Sequence, residues 1–428
     1  MLAPGEAGVG FLWSFEPVSP YRGETHDSDF MPLFRYDSRY FYLQSDRVGL
    51  KLDAAGVRYE AFLRRRLEGF ASDHVPGGMV GMEQRSSASD VGVGLRLPIG
   101  EGFAYAEAMH NMSGKSDGTE LRAGYRYERW WAGRLRWRPY VTLAWRDADL
   151  NDYYYGVRPD EATPERPAYA PGAGLNVELG VLAAYRVAER WQVLAAAGVT
   201  RWSSGVRDSP VVDRGTQAQF SLGLMYGFAP DQARELDRRP LILRVGYGQS
   251  SDCDLLVVVT LQCTTTNTQD PTSIGLFDIG QVLVRRLNGW PLDIQGFVGF
   301  VHHLERGLQE DFWQVQGYFK PVYSFGPWLG ARLAPRVGLA AGISYASRIP
   351  FTEQRDQATR GRDTSKLLLY LDPTVDISIG HLFGVRELRE TFAGLGVSHR
   401  SGVFGSSRLF NSVDGGSNYI YTFIESAF

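Results

Sequence analysis

Long apolar runs are missing from this 428-residue chain. Its longest purely aliphatic stretch is Leu255 to Val259, whereas a membrane-spanning helix needs roughly 18 or more apolar residues. An excess of charge of one sign is missing too, since 45 Lys and Arg face 48 Asp and Glu and leave a net charge of -3. The sequence therefore excludes a helical membrane protein and gives no reason to expect a nucleic-acid partner.

Cysteine is scarce. The chain contains two, Cys253 and Cys263, ten residues apart on either side of an aliphatic segment. This spacing predicts a disulfide that staples a hairpin loop in an oxidising compartment, with two unpaired thiols as the alternative. No basic segment followed by an apolar core occurs at the N-terminus, so we expect a mature chain whose secretion signal has been removed, with a cytoplasmic protein as the alternative.

The dominant pattern in the sequence is an alternation of apolar and polar residues. Between residues 172 and 187, for example, Leu175, Val177 and Leu179 alternate with Asn176 and Glu178. The pattern recurs along the whole chain, with turn residues between the segments. Each segment is predicted to be a strand with one apolar and one polar side.

These alternating segments are long, about ten residues or more, and their apolar sides are rich in aromatic residues. They predict an all-β fold, a transmembrane antiparallel β-barrel of roughly 18 strands in the outer membrane of a Gram-negative bacterium. Two smaller barrels in tandem are the alternative. Candidate strands begin near residues 8, 31, 47, 56, 89, 101, 119, 134, 173, 190, 216, 240, 276, 291, 311, 337, 367, 390 and 417.

One charged stretch without alternation, residues 229–238, interrupts the pattern. It follows Tyr226-Gly227-Phe228, an aromatic end typical of a finished barrel. We therefore predict a first barrel half at residues 1–228, a periplasmic linker or turn at 229–238, and a second barrel half at 239–428.

Several segments of the first half occur in an order and spacing that resemble a known family. They are Pro20 to Gly23, Gly81 to Glu83, Asn151 to Val157, Tyr169 to Gly174, Asp208 to Val212 and Tyr226 to Phe228. Residues 1–228 resemble the MipA/OmpV family, outer-membrane proteins named for the MltA-interacting protein, a partner of a murein hydrolase. The resemblance implies a scaffold in cell-envelope (murein) remodelling, with a periplasmic murein hydrolase complex as partner, and implies no catalytic residues. Physically, the Asn-Asp and Asp-Ser-Pro pieces are typical of loops whose polar side chains cap their own turns.

The second half carries a different pattern near its end. His399 and Ser401 are two residues apart in a predicted strand, on the same face as Leu395 and Val397. In a barrel that face contacts lipid, where a histidine is costly away from the interface. A carboxylate, Asp414, precedes the returning strand, so the segment contains a candidate nucleophile, base and orienting acid.

This C-terminal segment resembles the outer-membrane lipid A 3-O-deacylases, whose lipid-facing His-x-Ser-Asn motif and downstream Glu form a hydrolase triad. Here Gly402 replaces the Asn, and the acid is not a Glu at the expected place; Asp414 is the closest acid, with Glu425, near the periplasmic end of the last strand, as the alternative. The resemblance implies a lipid A esterase that acts on lipopolysaccharide, with His399, Ser401 and Asp414 catalytic. Asn418, Gly415 and Gly416 are candidates for oxyanion or polar support. The alternative is that His399 and Ser401 are ordinary residues at the barrel rim.

Two further expectations concern transport and cofactors. Any large barrel with a polar lumen allows a third hypothesis, a passive porin. His302 and His303 are adjacent in a predicted strand and point to opposite faces, so they cannot share a metal. We expect no metal and no cofactor.

Overall fold

A computed structural model describes residues 7–24, 27–70, 75–228, 240–267, 269–326 and 332–428. The chain divides into two compact units, Met1–Asp231 and Gln232–Phe428. The predicted linker at 229–238 lies outside the described residues. Among the described residues, no helix is both long and apolar enough to cross a membrane.

Unit 1 is an antiparallel barrel of twelve strands, counted over its described residues. The ring closes because the first strand pairs with the last, Gly8 opposite Gly227, and a short extra strand pairs with its neighbour in the ring. The ring strands are β1 (Ala7–Val18), β2 (Asp27–Asp37), β3 (Phe41–Gln44), β4 (Arg47–Ala54), β5 (Val57–Arg66), β6 (Ala88–Ile99), β7 (Gly102–Asn111), β8 (Thr119–Tyr127), β10 (Leu135–Arg146), β11 (Gly174–Arg186), β12 (Trp191–Arg201) and β13 (Thr216–Gly227), and the extra strand is β9 (Arg129–Trp131).

The predicted alternation sets the two faces of this barrel. On β11, Leu175 is 52% exposed and Leu179 is 55% exposed, while Asn176 is buried. The apolar side chains therefore face outward, and the polar ones face the lumen. This is the arrangement of a barrel whose outer face contacts lipid.

The two ends of unit 1 differ. One end has short turns, such as Gly100–Glu101, and the other has long loops that contain α1 (Ala148–Tyr155) and α2 (Ser204–Arg207). In outer-membrane barrels the short turns face the periplasm and the long loops face outside. The long loops share a buried apolar cluster, which we call the cap. Its buried members are Tyr21, Phe70, Met79, Leu150, Tyr154, Tyr155, Val157, Trp202, Val206, Val211 and Val212.

Unit 2 is a closed antiparallel barrel of eight strands with three helices in its loops, again over the described residues. The strands are β14 (Leu241–Ser251), β15 (Ser273–Val284), β16 (Leu292–Leu304), β17 (Phe312–Ser324), β18 (Pro335–Ala346), β19 (Leu367–Ser378), β20 (Thr391–Ser401) and β21 (Gly416–Ala427). The helices are α3 (Leu255–Val259), α4 (Phe351–Arg360) and α5 (Ile379–Phe383).

The interior of unit 2 is filled by ion pairs. Arg244 Nε donates to Asp278 at 2.8 Å, and its NH2 group donates to Asp372 at 2.8 Å. All three side chains are completely buried. An eight-stranded barrel is just wide enough for side chains to fill, so each internal charge must find its partner among them.

The single barrel of roughly 18 strands is not confirmed, because β1 closes on β13 and β14 closes on β21. The alternative of two smaller barrels in tandem fits the structure. The sequence prediction lacks β3 and the extra strand β9, whose four and three residues are too few to show a period of two.

Candidate functional site

The predicted triad lies where β20 meets β21. The strand register sets His399 opposite Asn418 and Ser401 opposite Gly416. Directly opposed residues of an antiparallel pair share a face, so His399, Ser401 and Asn418 lie together on the outer surface of unit 2. Both His399 and Ser401 are half-buried there.

Asn418 fixes the orientation of the histidine. Its side-chain amide donates to the carbonyl of Cys253 at 3.0 Å, so its Oδ1 atom is left as an acceptor. His399 Nδ1 lies 2.6 Å from that oxygen and therefore carries the proton. The remaining ring nitrogen, Nε2, is then unprotonated in the neutral ring and available as a base.

Ser401 lies at the end of β20, next to the glycines at the start of β21. Ser401 Oγ accepts a hydrogen bond from Val403 N at 3.3 Å, and within the described part of the chain no hydrogen bond joins it to His399. A Cβ on Gly416 would lie 1.6 Å from the carbonyl oxygen of Arg400. Gly415 has φ +128°, and its carbonyl accepts from Gly402 N at 3.1 Å. The positive φ of Gly415 and the close approach of backbone at Gly416 account for the two glycines.

Asp414 is directed elsewhere. Its carboxylate pairs with Arg362 at 2.8 Å, and its carbonyl accepts from Gln357 of α4 at 3.0 Å. The prediction that Asp414 orients the histidine therefore needs correcting, because Asn418 is the residue at His399 Nδ1. Sequence reasoning assigned Asn418 to oxyanion support, since the register across the intervening loop cannot be read from the sequence.

A disulfide-stapled loop covers the neighbouring outer surface. Cys253 and Cys263 are joined, with Cα atoms 5.9 Å apart. The enclosed α3 packs its Val258 against Val397 of β20 in a buried apolar cluster. Leu256 and Leu261 of the same loop are 75% and 81% exposed. The site therefore borders an apolar loop that continues the lipid-facing surface of the barrel.

Most family-like segments of the first half lie in the long loops of unit 1, in or beside the cap, whereas Tyr226 to Phe228 lies at the opposite end, where β13 pairs with the start of β1. Asn151 is fully buried and donates to the carbonyl of Gly172 at 2.8 Å, while Asp152 accepts from Gly172 N at 3.1 Å. Ser209 donates to the carbonyl of Tyr155 at 2.6 Å. Burial raises the pKa of Tyr155 well above its ordinary value, so its hydroxyl stays neutral. These side chains tie loops to one another.

In the described parts of the chain, no group of three or more His, Cys, Asp or Glu residues is placed to hold a metal ion. His302 is exposed, whereas His303 is buried and lies 3.2 Å from Gln314 Oε1. The adjacent histidines thus face opposite sides of β16.

Two closed barrels with apolar outer faces define the class of this protein as an outer-membrane β-barrel protein. Comparison with known proteins identifies the family: the model of "MltA-interacting protein MipA" matches residues 9–228. The chain belongs to the MipA family.

Named relatives agree with this assignment. OmpV of Vibrio cholerae, an outer membrane protein, is 26% identical over 210 residues, covering 49% of this chain and 76% of its own length. The MltA-interacting protein of Escherichia coli is 34% identical over 105 residues, covering 24% of this chain and 41% of its own. The lipid A deacylase resemblance of the second half is not shown by these comparisons.

Comparison with solved structures adds nothing further. A bacterial polysaccharide outer membrane secretin overlaps 100% of this chain and 99% of its own, at 10% identity and a TM-score of 0.23. A score this low does not define a shared fold.

Proposed function

We propose that the protein is an outer-membrane scaffold for a periplasmic murein-remodelling enzyme. The observation that carries the proposal is the family match over residues 9–228, together with the likeness to a protein named for its interaction with MltA. Contacts rather than chemistry would then be the function of unit 1.

A periplasmic partner has access to the short-turn end of unit 1. Exposed aromatic residues crowd that end, among them Trp131 at 60% exposed and Trp130, which Arg136 and Arg186 each approach to 5.6 Å. Tryptophan and arginine are enriched where proteins bind one another, although tryptophan also marks the membrane interface. The turn that follows, which includes Arg134, is exposed.

The experiment is site-specific photo-crosslinking of the full chain in cells. A photoreactive phenylalanine analogue at Arg134 probes the short-turn end, and the same analogue at Val80, which is 66% exposed in a long loop, is the matched control. We expect a murein hydrolase, identified by mass spectrometry, from position 134 and none from position 80. Equal yields at both positions, or the absence of any murein enzyme, would refute the scaffold.

A second candidate function is a lipid ester hydrolase at His399, supported by the 2.6 Å contact that orients its ring. Ser401 Oγ would attack an acyl ester carbonyl as His399 Nε2 takes its proton. The alcohol leaves with that proton, and water then hydrolyses the Ser401 ester to release the fatty acid. The distance from serine to histidine closes only when substrate is bound, as in many free enzymes.

Mass spectrometry of lipid A from expressing cells tests this hydrolase. We expect wild type to remove an acyl chain, Ser401→Ala to remove none, and Asn418→Ala to lose about tenfold or more of the rate. Asp414→Ala and Ser406→Ala, which alter groups away from His399, serve as controls and should act like wild type. Lipid A that is unchanged by wild type and by every variant would reject the hydrolase. The scaffold proposal would be unaffected.

A passive pore has no support in unit 2, whose described interior is filled by paired charges. In unit 1 the cap packs the long loops together.

A further inference from the structure

Unit 1 encloses a cavity of about 380 Å³ in its lumen. Nine arginines and lysines line it, against five aspartates and glutamates. The lining therefore carries four more positive than negative side chains, and one of the positive ones, Arg122, pairs with Glu178, which lies outside the lining.

The two ends of the lumen differ in their ion pairs. Towards the long loops, Arg66 pairs with Asp90 and Glu120 at 2.7 Å each, and Arg146 pairs with Glu68 at 2.7 Å. Carboxylates there match the arginines. Arg66 and Arg146 are therefore satisfied within the wall.

Towards the short turns, Arg126 and Arg138 form no ion pair with any described residue. The Nε atom of each is buried without a hydrogen-bond partner. Arg138 is also repelled by Arg136, Arg126 and Arg35, three arginines against one attracting carboxylate, Glu128. Arg126 lies near the periplasmic rim, because the next residue, Tyr127, pairs with Gly102 beside a short turn.

Apolar side chains face these arginines. Leu182 of β11 stands directly opposite Arg138 in the strand register. Leu194 and Met225, from the next two strands, line the same cavity. One wall thus presents guanidinium groups and the adjoining wall presents hydrocarbon.

We propose that this cavity binds a small amphiphilic organic anion that enters from the periplasmic side. Its carboxylate would lie between Arg126 and Arg138, since planar guanidinium groups match carboxylate oxygens. Its ring or short chain would contact Leu182, Leu194 and Met225. The site is independent of the scaffold and of the hydrolase.

The test uses the full chain in lipid nanodiscs, with 2-naphthoate as the probe and neutral 2-naphthamide of the same shape as its control. Isothermal titration should show naphthoate binding at least about tenfold more tightly. Arg126→Gln with Arg138→Gln should bring the two affinities together. Arg201→Gln, which removes an exposed arginine at the opposite end of β12, should leave the difference unchanged.

Equal affinity of wild type for both probes, or an unchanged difference in the double variant, would overturn the proposal. Inorganic phosphate has no apolar part. If it competes for the site as well as naphthoate does, the proposed contact with Leu182, Leu194 and Met225 is overturned. Should the double variant fail to fold, as judged by its unheated mobility on gels, Arg138→Gln alone and a salt titration of wild type replace it. Added salt should then reduce the difference in affinity between naphthoate and naphthamide.

Discussion

The two barrels handle internal charge in opposite ways. In unit 2, Arg244 is 0% exposed and lies between two carboxylates, each 2.8 Å away. In unit 1, Arg126 and Arg138 border a cavity of about 380 Å³ and pair with no described carboxylate.

Barrel width explains the difference. Eight strands leave room only for side chains, so a lumen charge in unit 2 is dry and must be paired within the wall. Twelve strands leave a wider lumen, in which the Nε atoms of Arg126 and Arg138 stay without a partner beside a cavity. A narrow barrel therefore uses its charges for stability, whereas a wider one can keep them for a ligand.

The largest effect is expected from Arg244→Met, which tests whether the lumen charges of unit 2 must be paired. It leaves Asp278 and Asp372 buried without their partner, so we expect a loss of about 4 kcal/mol in the free energy of unfolding. Urea unfolding of the full chain, followed by gel mobility, measures it. Arg348→Met is the control, because its pair with Glu310 is 47% and 80% exposed and should contribute about 1 kcal/mol or less. Equal losses would contradict the account of a dry lumen.

The cap of unit 1 is the next test, since it is the dry part of the wider barrel. Leu150→Ala removes a fully buried side chain from it and should cost about 3 kcal/mol locally. Limited proteolysis of the long loops should become roughly a hundredfold faster. Leu143→Ala, on the lipid-facing side and 47% exposed, should change that rate little. Comparable rates in the two variants would show that the cap is not held by its apolar cluster.

Much of this architecture could be predicted from alternation alone. All eight strands of unit 2 begin within about three residues of their predicted positions, and on β11 the predicted apolar face is the exposed one. Alternation reports which way each side chain points, and the structure confirms that part.

Closure and loop contacts could not be predicted in the same way. The residues of a strand do not show which strand closes the ring, so the sequence alone does not decide between one barrel and two. Asn418 reaches His399 only through a register set by a loop of irregular backbone, in which Val403 and Phe404 have positive φ. Such a loop has no period to extrapolate.

A smaller effect is expected where α4 meets the lumen of unit 2. Burial raises the pKa of Glu353 to about 6 although Arg400 lies 3.6 Å away, and Ser417 donates to its carboxylate at 3.4 Å. The folded state then binds this proton more tightly than the unfolded state. Docking of α4 should therefore weaken as pH rises from about 4.5 to about 6, by about 2 kcal/mol, and stay constant above that.

Hydrogen exchange of the α4 amides at pH 4.5 and 7, corrected for intrinsic rates, measures this change. Glu353→Gln should abolish the pH dependence. Glu305 accepts from Phe351 N at 3.1 Å, and burial raises its pKa too, so Glu305→Gln is the necessary control. If Glu305→Gln abolishes the dependence and Glu353→Gln does not, the assignment to Glu353 is wrong.

The smallest effect has the opposite sign. Arg126→Gln in unit 1 removes a charge that repels Arg138, so the free energy of unfolding should rise slightly, by about 0.5 kcal/mol. Arg66→Gln, at the paired end of the same lumen, should lower it, because two carboxylates lose their partner. Urea unfolding of both variants measures the two free energies and so compares the two ends of the lumen. A loss at Arg126 as large as at Arg66 would mean that this arginine is structural, whereas a gain would be expected of a residue that is retained for binding.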